Sequence, residues 1–249
     1  MLSVRERYKP STVVKAIGPK LVPFFKTVAI FFILFEADSR LNSIFYCLVK
    51  CLPVVCLMIF VLMHGMSLSE IYAYSRKILL GLFFSCLGDA FLVWKNAGYF
   101  PHGLAMFALA QVMYTWAFGF RPLSLRTCSV CACLGFFVYW LILPGLEGPM
   151  VWMAGLYVAL ICTMAWRAIA RVKFLNDGWT WTGLCSSGGS VLFLMSDFVI
   201  AVNRFRFDVP YSHQLIMATY YAAQLGIAVS VVDSHVDALI ESTAIKKVQ

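Results

Sequence analysis

Eight apolar runs, joined by short polar links, occupy most of this 249-residue chain. Apolar residues make up 61% of the sequence and charged residues 13%, whereas a soluble domain carries about 25% charged residues. A water-soluble surface cannot be built from this mixture, so the lipid bilayer is the expected solvent. Because backbone polar groups in lipid must be satisfied within the protein, the runs predict transmembrane α-helices.

The predicted fold is therefore an all-α, polytopic membrane protein with about eight transmembrane helices. No polar stretch is long enough to hold a soluble domain, so residues 1–249 are expected to form a single integral membrane domain. Its basic N-terminal segment (1–20) and its tail (233–249) are expected in the cytosol. The predicted helices lie at 21–36, 44–64, 78–94, 101–118, 128–143, 150–166, 183–202 and 211–232.

Basic residues are distributed unevenly between the two ends of these helices. With the N-terminus in the cytosol, the cytosolic segments hold 14 lysines and arginines and the opposite segments hold four, which leaves Lys26 and Lys50 inside helices. The positive-inside rule thus favours cytosolic placement of both termini. The same bias accounts for the net charge of +8, so nucleic acid is not an expected partner.

The C-terminal tail carries Lys246 and Lys247 at the fourth and third positions from its end. This pair resembles a cytosolic dilysine retrieval signal and favours the endoplasmic reticulum membrane as the location. The alternative is an ordinary solvated basic tail.

Two aspartates lie inside predicted helices, Asp89 in the third and Asp197 in the seventh. A carboxylate at the bilayer centre costs from about 2.5 to over 10 kcal/mol, so such residues usually mark functional sites. Asp89 shares a helix face with Gly81 and Ser85, and small residues let helices approach closely. We expect the two carboxyls to meet and to act as an acid/base pair. The alternative is a structural role, with hydrogen bonds to nearby hydroxyls or a pairing with Lys50.

The two aspartate helices resemble each other and point in the same direction. Each has a glycine eight residues before its aspartate, Gly81 or Gly189, and each is followed by an expected helix start at a proline, Pro101 or Pro210. A parallel four-plus-four repeat is predicted on this basis. Membrane helices are low in complexity and align easily, which is the alternative explanation.

Further candidates for the site are polar residues at suitable depths. Lys50 is a counter-ion or binds a substrate phosphate, unless it snorkels to the interface. Tyr220, Tyr221 and Gln224 crowd the eighth helix, and buried polar groups of this kind need hydrogen-bond partners. They bind the aspartates or a ligand, or they hold helices together. Asn203 lies at the outer end of the seventh helix, where we expect a substrate headgroup.

A metal site is not expected. Cys128, Cys131 and Cys133 form a cluster, but no second cysteine pair or histidine lies near them in sequence to complete a zinc site. The chain also lacks the glycine-rich loop that binds nucleotide phosphates. No cofactor is therefore predicted.

Four stretches of the chain carry a family resemblance: KCLP at 50–53, FSCLGDAFLVW at 84–94, SDFVIAVNRF at 196–205 and MATYYAAQ at 217–224. They resemble the YhhN family of membrane proteins, whose vertebrate members include lysoplasmalogenases. The resemblance implies an eight-helix fold and hydrolysis of the vinyl ether bond of lysoplasmalogens, which gives a fatty aldehyde and glycerophosphocholine or glycerophosphoethanolamine. It also implies that the two essential acidic positions of the family correspond to Asp89 and Asp197.

This chemistry agrees with a pair of carboxyls in a membrane. A vinyl ether hydrolyses when its outer alkene carbon is protonated, and water then captures the resulting oxocarbenium ion. One aspartate can donate the proton while the other stabilises the cation. The expected partners are a lysophospholipid substrate and membrane lipid. The alternative function is a proton-coupled transporter, since mid-membrane carboxylates in repeated helices also suit transport.

Overall fold

The computed structural model of the chain describes residues 10–35, 43–64, 70–172 and 181–232. These residues form eight α-helices and no β-strand, which confirms the all-α prediction. The helices are α1 (Pro10–Leu34), α2 (Ile44–Met63), α3 (Ala73–Val93), α4 (Phe100–Phe118), α5 (Leu125–Ile142), α6 (Pro149–Ala170), α7 (Trp181–Phe205) and α8 (Ser212–Val229). The tail at 233–249, with the dilysine pair, lies outside the described residues.

The largest difference from the predicted helix boundaries concerns α1. The prediction begins at residue 21, whereas the helix begins at Pro10 and continues through Pro19 and Pro23. An internal proline removes a backbone hydrogen bond and disfavours helix, which is why the sequence pattern places the start too late. Ile17 and Leu21 are buried in the core, and this packing offsets the cost of the prolines.

The second boundary difference concerns the start of α8. Pro101 occupies the first turn of α4 as predicted. Pro210, in contrast, lies in the turn before α8, which begins at Ser212. Tyr211 caps this helix with a φ of 56°, a left-handed conformation in which a new helical turn cannot yet begin.

Five helices are long and apolar enough to cross a membrane: Ile17–Leu34, Ile44–Met63, Leu125–Gly145, Pro149–Ala170 and Gly183–Phe205. The chain is accordingly a multi-pass membrane protein. Helices α3, α4 and α8 do not meet the same criterion of length and apolar composition. They are also the helices that carry the buried polar residues Asp89, Gln111, Tyr114 and Gln224.

Helix packing is closest within two hairpins, α3–α4 and α7–α8. In the first, a side chain at Gly81 would lie 2.2 Å from the Tyr114 ring. In the second, a side chain at Gly189 would lie 2.7 Å from the backbone oxygen of Ala223. Glycine at these positions lets the helices of each hairpin touch.

The remaining contacts follow the same order in both halves of the chain. Helix α2 packs on α1 and α3, and α6 packs on α5 and α7. Between the halves, α2 contacts α8 and α6 contacts α4. The last helix of each half therefore lies against the second helix of the other half.

Candidate active site

Asp89 is held by residues from two other helices. Its side chain is buried, and Lys50 of α2 places its Nζ atom 3.1 Å from Asp89 Oδ1. Tyr220 of α8 donates a hydrogen bond from its hydroxyl to Asp89 Oδ2 at 2.5 Å. A buried carboxylate needs a nearby cation and hydrogen-bond donors to offset the loss of solvation, and Asp89 has both.

Lys50 is fixed in place as the counter-ion of Asp89. Its Nζ atom also lies 3.4 Å from the backbone oxygen of Asp89, and Tyr221 donates a hydrogen bond to the backbone oxygen of Lys50 at 2.9 Å. Since only 8% of the Lys50 side chain is exposed, its ammonium group is enclosed by the helices. Three helices, α2, α3 and α8, thus form a closed ionic centre.

A second layer of hydrogen bonds supports this centre. Tyr114 of α4 donates to Gln224 Oε1 at 2.8 Å, and the Tyr114 and Ser85 hydroxyl oxygens lie 3.4 Å apart. All three side chains are buried. Buried hydrogen bonds in a low-dielectric interior restrict how helices can rotate, so these contacts help to orient α3, α4 and α8 around the ionic centre.

Asp197 has a different environment. Its Oδ2 atom accepts a hydrogen bond from the Tyr157 hydroxyl of α6. Within the described part of the chain, no lysine, arginine or histidine lies within ion-pair distance of Asp197. The residue is half-buried on α7 and faces a pocket between helices, whereas Asp89 is enclosed.

We name this cavity the Asp197 pocket; it has about 80 Å³ of water-accessible volume. Among the described residues that line it, the polar ones are Asp197, Tyr157 and Cys162, and the others are apolar or glycine. The apolar wall includes Leu104, Phe107, Ile161, Leu194 and Phe198. The pocket extends to one end of the bundle, where its lining includes Phe100, Ile142 and Phe205. A carboxyl on the wall of an apolar cavity suits a reaction on a hydrocarbon chain.

Phe107 of α4 connects the two centres. It lines the Asp197 pocket, and its ring centroid lies 5.9 Å from that of Tyr220, which binds Asp89. A side chain at position 88 would lie 2.7 Å from the Phe107 ring, so Gly88 is required for this contact. Phe107 thus contacts the surroundings of both carboxyls, those of Asp89 and Asp197. Each one, however, accepts its hydrogen bond from a different tyrosine.

Gln111 is a further polar residue between the centres. It lies on α4 next to the Tyr157 hydroxyl, and its side chain is fully buried. Neither of its amide atoms has a hydrogen-bond partner of normal geometry in the described chain. An amide in this state retains both donor and acceptor capacity for a ligand.

The structure brings together most of the residues that the sequence suggested. Lys50, Tyr220 and Tyr221 surround Asp89, and Gln224 lies in the second layer. Asn203 lies apart from them, where its Oδ1 atom accepts a hydrogen bond from the backbone of Val209 in the turn after α7. The roles of these five side chains in substrate binding remain predictions.

Tyr157 is the site residue that the sequence pattern did not reveal. It lies in a long apolar helix, where one tyrosine resembles an ordinary core residue, and it is 40 positions from Asp197. One signal was available: in the proposed alignment of the aspartate helices, the spacing from Tyr157 to Asp197 is close to that from Lys50 to Asp89.

Together, the fold and the two carboxylate centres define an all-helical, multi-pass membrane protein with an acidic site inside its helix bundle. The chain belongs to the YhhN family, which matches residues 45–231.

Several relatives cover nearly the whole chain. It is 47% identical to human lysoplasmalogenase TMEM86A over 225 residues, and this alignment covers 90% of this chain and 93% of the relative. The bovine TMEM86A lysoplasmalogenase is 46% identical with the same coverage. The pig lysoplasmalogenase TMEM86B is 36% identical over 220 residues, or 88% of each chain. No solved structure matches the chain.

Proposed function

We propose that this chain is a membrane-embedded lysoplasmalogenase that cleaves the vinyl ether bond of lysoplasmalogens. The products are a fatty aldehyde and glycerophosphocholine or glycerophosphoethanolamine. The relatives named lysoplasmalogenase support this activity, since they cover nine tenths of the chain. The observation that carries the proposal is the position of Asp197, whose carboxyl lies on the wall of an apolar pocket beside the ionic centre of Asp89.

The two carboxyls have different roles in the proposed mechanism. Lys50 forms an ion pair with Asp89, and this pairing keeps the Asp89 carboxyl ionised. Asp197 has no such cation and faces the apolar pocket, so we assign to it the proton that is transferred to the outer alkene carbon. Tyr157 occupies one oxygen of Asp197 and orients the other.

The next steps consume one water molecule. Protonation converts the alkenyl group into an oxocarbenium ion, and we assign the electrostatic stabilisation of this cation to the Asp89 carboxylate. Water adds to the cationic carbon and returns a proton to Asp197, which forms a hemiacetal. The hemiacetal then loses its hydroxyl proton as its bond to the glycerol oxygen breaks, a proton is delivered to that oxygen, and the aldehyde and the glycerol hydroxyl product are released with no net change in protons.

Aldehyde release by the purified protein in detergent tests this proposal. Asp89→Asn and Asp197→Asn should each lower kcat by about 10²–10⁴-fold, the usual contribution of acid–base catalysis. Asp208→Asn is the matched control, because Asp208 is exposed in the loop after α7. Unchanged activity in both site variants would refute the mechanism. Product formation in detergent would also reject pure transport, which requires two separated compartments.

The proposed topology is a single integral membrane domain that crosses the bilayer eight times, with both termini in the cytosol. Helices α3, α4 and α8 contain 21, 19 and 18 residues, which is enough for a span of about 17–25 residues. Their lower hydropathy reflects the polar residues of the site, which face other helices instead of lipid. The charge bias and the proposed endoplasmic reticulum location come from the sequence.

A parallel repeat of α1–α4 and α5–α8 is part of the same proposal. It is supported by the helix contacts, which follow the same order in both halves. It is also supported by the partners of the aspartates: Lys50 and Tyr157 lie on the second helix of each half. Tyr220 and Gln111 lie on the fourth helix of each half and approach the centre of the other half.

Cysteine labelling tests the orientation. In a cysteine-free background, Asn96→Cys and Ser124→Cys lie at opposite ends of α4, in the links before and after it. We expect an impermeant reagent in the cytosol to label Ser124→Cys and to leave Asn96→Cys unlabelled. The reverse pattern would place the mouth of the Asp197 pocket on the cytosolic side and contradict the proposal.

The substrate phosphate has a candidate binding residue at the mouth of the pocket. Arg204 is exposed at the end of α7, and its guanidinium carbon lies 3.9 Å from the ring centroid of Phe100, which lines the pocket. Arginine binds phosphate oxygens well because of its planar set of donors. Lys50 is enclosed and paired, so the proposal assigns the phosphate to Arg204 and keeps Lys50 as a counter-ion.

A further inference from the structure

A second cavity lies between α5 and α6. This α5–α6 groove has about 630 Å³ of water-accessible volume, and its walls include Ala132, Gly155 and Ala159. Phe136 and Trp152 stand at its edge and are 74% and 82% exposed. In a multi-pass protein such an apolar groove faces the hydrocarbon of the bilayer.

The groove and the Asp197 pocket are adjoining cavities. Three residues, Gly135, Val158 and Cys162, line both of them. At Gly135 the helices α5 and α6 are in close contact, since a side chain there would lie 2.8 Å from Cys162 Sγ and 3.4 Å from Val158 Cγ1. Any larger residue at position 135 would fill the boundary between the cavities.

Helix α5 contributes little else to the core. Its buried residues are Cys131, Gly135 and Ile142, and most of its large side chains are exposed. Its packing on α6 relies on small residues, with Gly155 against the ring of Tyr139. The atoms that close the boundary at Gly135 belong to the Cys162 and Val158 side chains, so a flexible chain that passes there displaces side-chain atoms and not helix backbone.

The size of the Asp197 pocket requires an extension of this kind. With about 80 Å³ it has room for a few water-sized groups, whereas a fatty chain is far longer. If the vinyl ether lies beside Asp197, the rest of the chain must leave the pocket. The end of the pocket beside Arg204 suits the headgroup, and the wall at Gly135 is the shared boundary with an apolar space.

We propose that the α5–α6 groove binds the distal part of the substrate's hydrocarbon chain, which passes over Gly135 from the Asp197 pocket into the bilayer. This inference rests on the proposed function. The groove connects to the reacting centre through one boundary, so it accepts the single chain of a lysolipid. After cleavage the aldehyde returns to the membrane along the same route, and the polar product leaves at the other end of the pocket.

Chain-length dependence of the full-length protein tests this route. Gly135→Leu should lower kcat/KM by about tenfold or more for long-chain lysoplasmenyl lipids, in line with the cost of lost space in apolar pockets. Short-chain substrates, which end inside the pocket, should be affected much less. Gly188→Leu is the matched control, because a side chain at this exposed helical position meets no other atom within 4 Å. Equal losses for both chain lengths, or no loss for long chains, would overturn the proposal.

A binding measurement on the wild-type protein tests this inference separately from the proposed function. It also serves if the Gly135→Leu variant does not fold. A non-hydrolysable ether lysophospholipid with a photoreactive group at its chain end would be cross-linked to the wild-type protein. Mass spectrometry should then find the label on α5 and α6, near Phe136 or Trp152. If the label is found on α5 and α6 but the protein does not hydrolyse lysoplasmalogens in a separate assay, the proposed activity is refuted and the lipid groove is retained. Labels confined to other helices would refute the groove.

Discussion

Asp89 and Asp197 both lie within helices of the bundle, yet their surroundings differ. Asp89 lies in a closed centre with a lysine 3.1 Å away and a tyrosine 2.5 Å away. Asp197 has a tyrosine partner and faces an apolar pocket. The residue on the preceding helix makes the difference, because Lys50 supplies a charge where Tyr157 supplies only a hydroxyl.

This difference shows how one helix arrangement can give two carboxylates separate tasks. The helix before each aspartate helix brings one residue to the carboxyl, and Lys50 forms an ion pair where Tyr157 forms a hydrogen bond. In the proposed mechanism the ionic centre stabilises positive charge, and the open centre transfers the proton. The comparison predicts that substitutions at Asp89's partners affect stability most, whereas those at Asp197's partner affect turnover.

The largest effect on stability is expected for Lys50→Met. Removal of one partner from a buried ion pair leaves the other charge uncompensated, so the free energy of unfolding should fall by about 3–5 kcal/mol. Unfolding in detergent, followed by intrinsic fluorescence, would measure it. Lys26→Met is the control, since Lys26 is an exposed lysine in α1 and should change stability by about 0.5 kcal/mol or less.

The double variant Lys50→Met/Asp89→Asn sharpens this result. It removes both charges, so it should be more stable than Lys50→Met alone. If Lys50→Met were as stable as Lys26→Met, the ion pair would contribute little, and the contrast between the two centres would not hold.

A smaller effect is expected from the two tyrosine hydroxyls. Tyr220→Phe removes a hydrogen bond to an ionised group and should cost about 1.5–3 kcal/mol of folding stability. Tyr157→Phe should leave stability nearly unchanged and lower kcat by about tenfold, because it misorients the proton donor. Thermal unfolding and aldehyde release measured on the same samples would distinguish the two.

Tyr74→Phe provides the control for both tyrosine variants. Its hydroxyl bonds to Ser230 at the opposite end of α3 from Asp89, so its loss should not affect turnover. A Tyr157→Phe variant with wild-type kcat and reduced stability would assign Tyr157 a structural role and contradict the comparison.

Much of this arrangement could be predicted from the sequence. Hydropathy identified eight helices, and the cost of charge in lipid singled out Asp89 and Asp197. Similar depth suggested that Lys50 pairs with an aspartate. The polar residues of the eighth helix were recognised because buried hydroxyls and amides need partners, and Tyr220 indeed binds Asp89. These inferences depend on properties of single helices.

The remaining features depend on how helices are rotated against each other, which periodicity does not determine. Tyr157 could not be assigned to Asp197 because its helix is apolar on most sides. The pocket and the groove arise from what α5 and α6 leave unfilled, with Gly135 at their boundary. The start of α1 was missed because tertiary packing outweighs the unfavourable propensity of Pro19.

The smallest predicted effect concerns Arg204 at the open end of the Asp197 pocket. Its guanidinium group is exposed beside the ring of Phe100, and exposed charge pairs contribute about 0.2–1 kcal/mol. Arg204→Gln should therefore raise KM for lysoplasmenyl phospholipids by about fivefold or less. The phosphate is remote from the alkene carbon and is bound equally in the ground and transition states, so kcat should not change.

A substrate without phosphate, an alkenylglycerol, makes this test specific. Arg204→Gln and the wild type should hydrolyse the alkenylglycerol with the same KM. The control is Arg206→Gln, at an exposed arginine two positions further on, which should resemble the wild type with both substrates. An equal rise in KM for both substrates would mean that Arg204 acts through Phe100 and the shape of the pocket mouth. A drop in kcat would mean that the open end of the pocket is coupled to the reacting centre. Either result would mean that Arg204 does not bind the substrate phosphate, and the assignment of the headgroup to this end of the pocket would be lost.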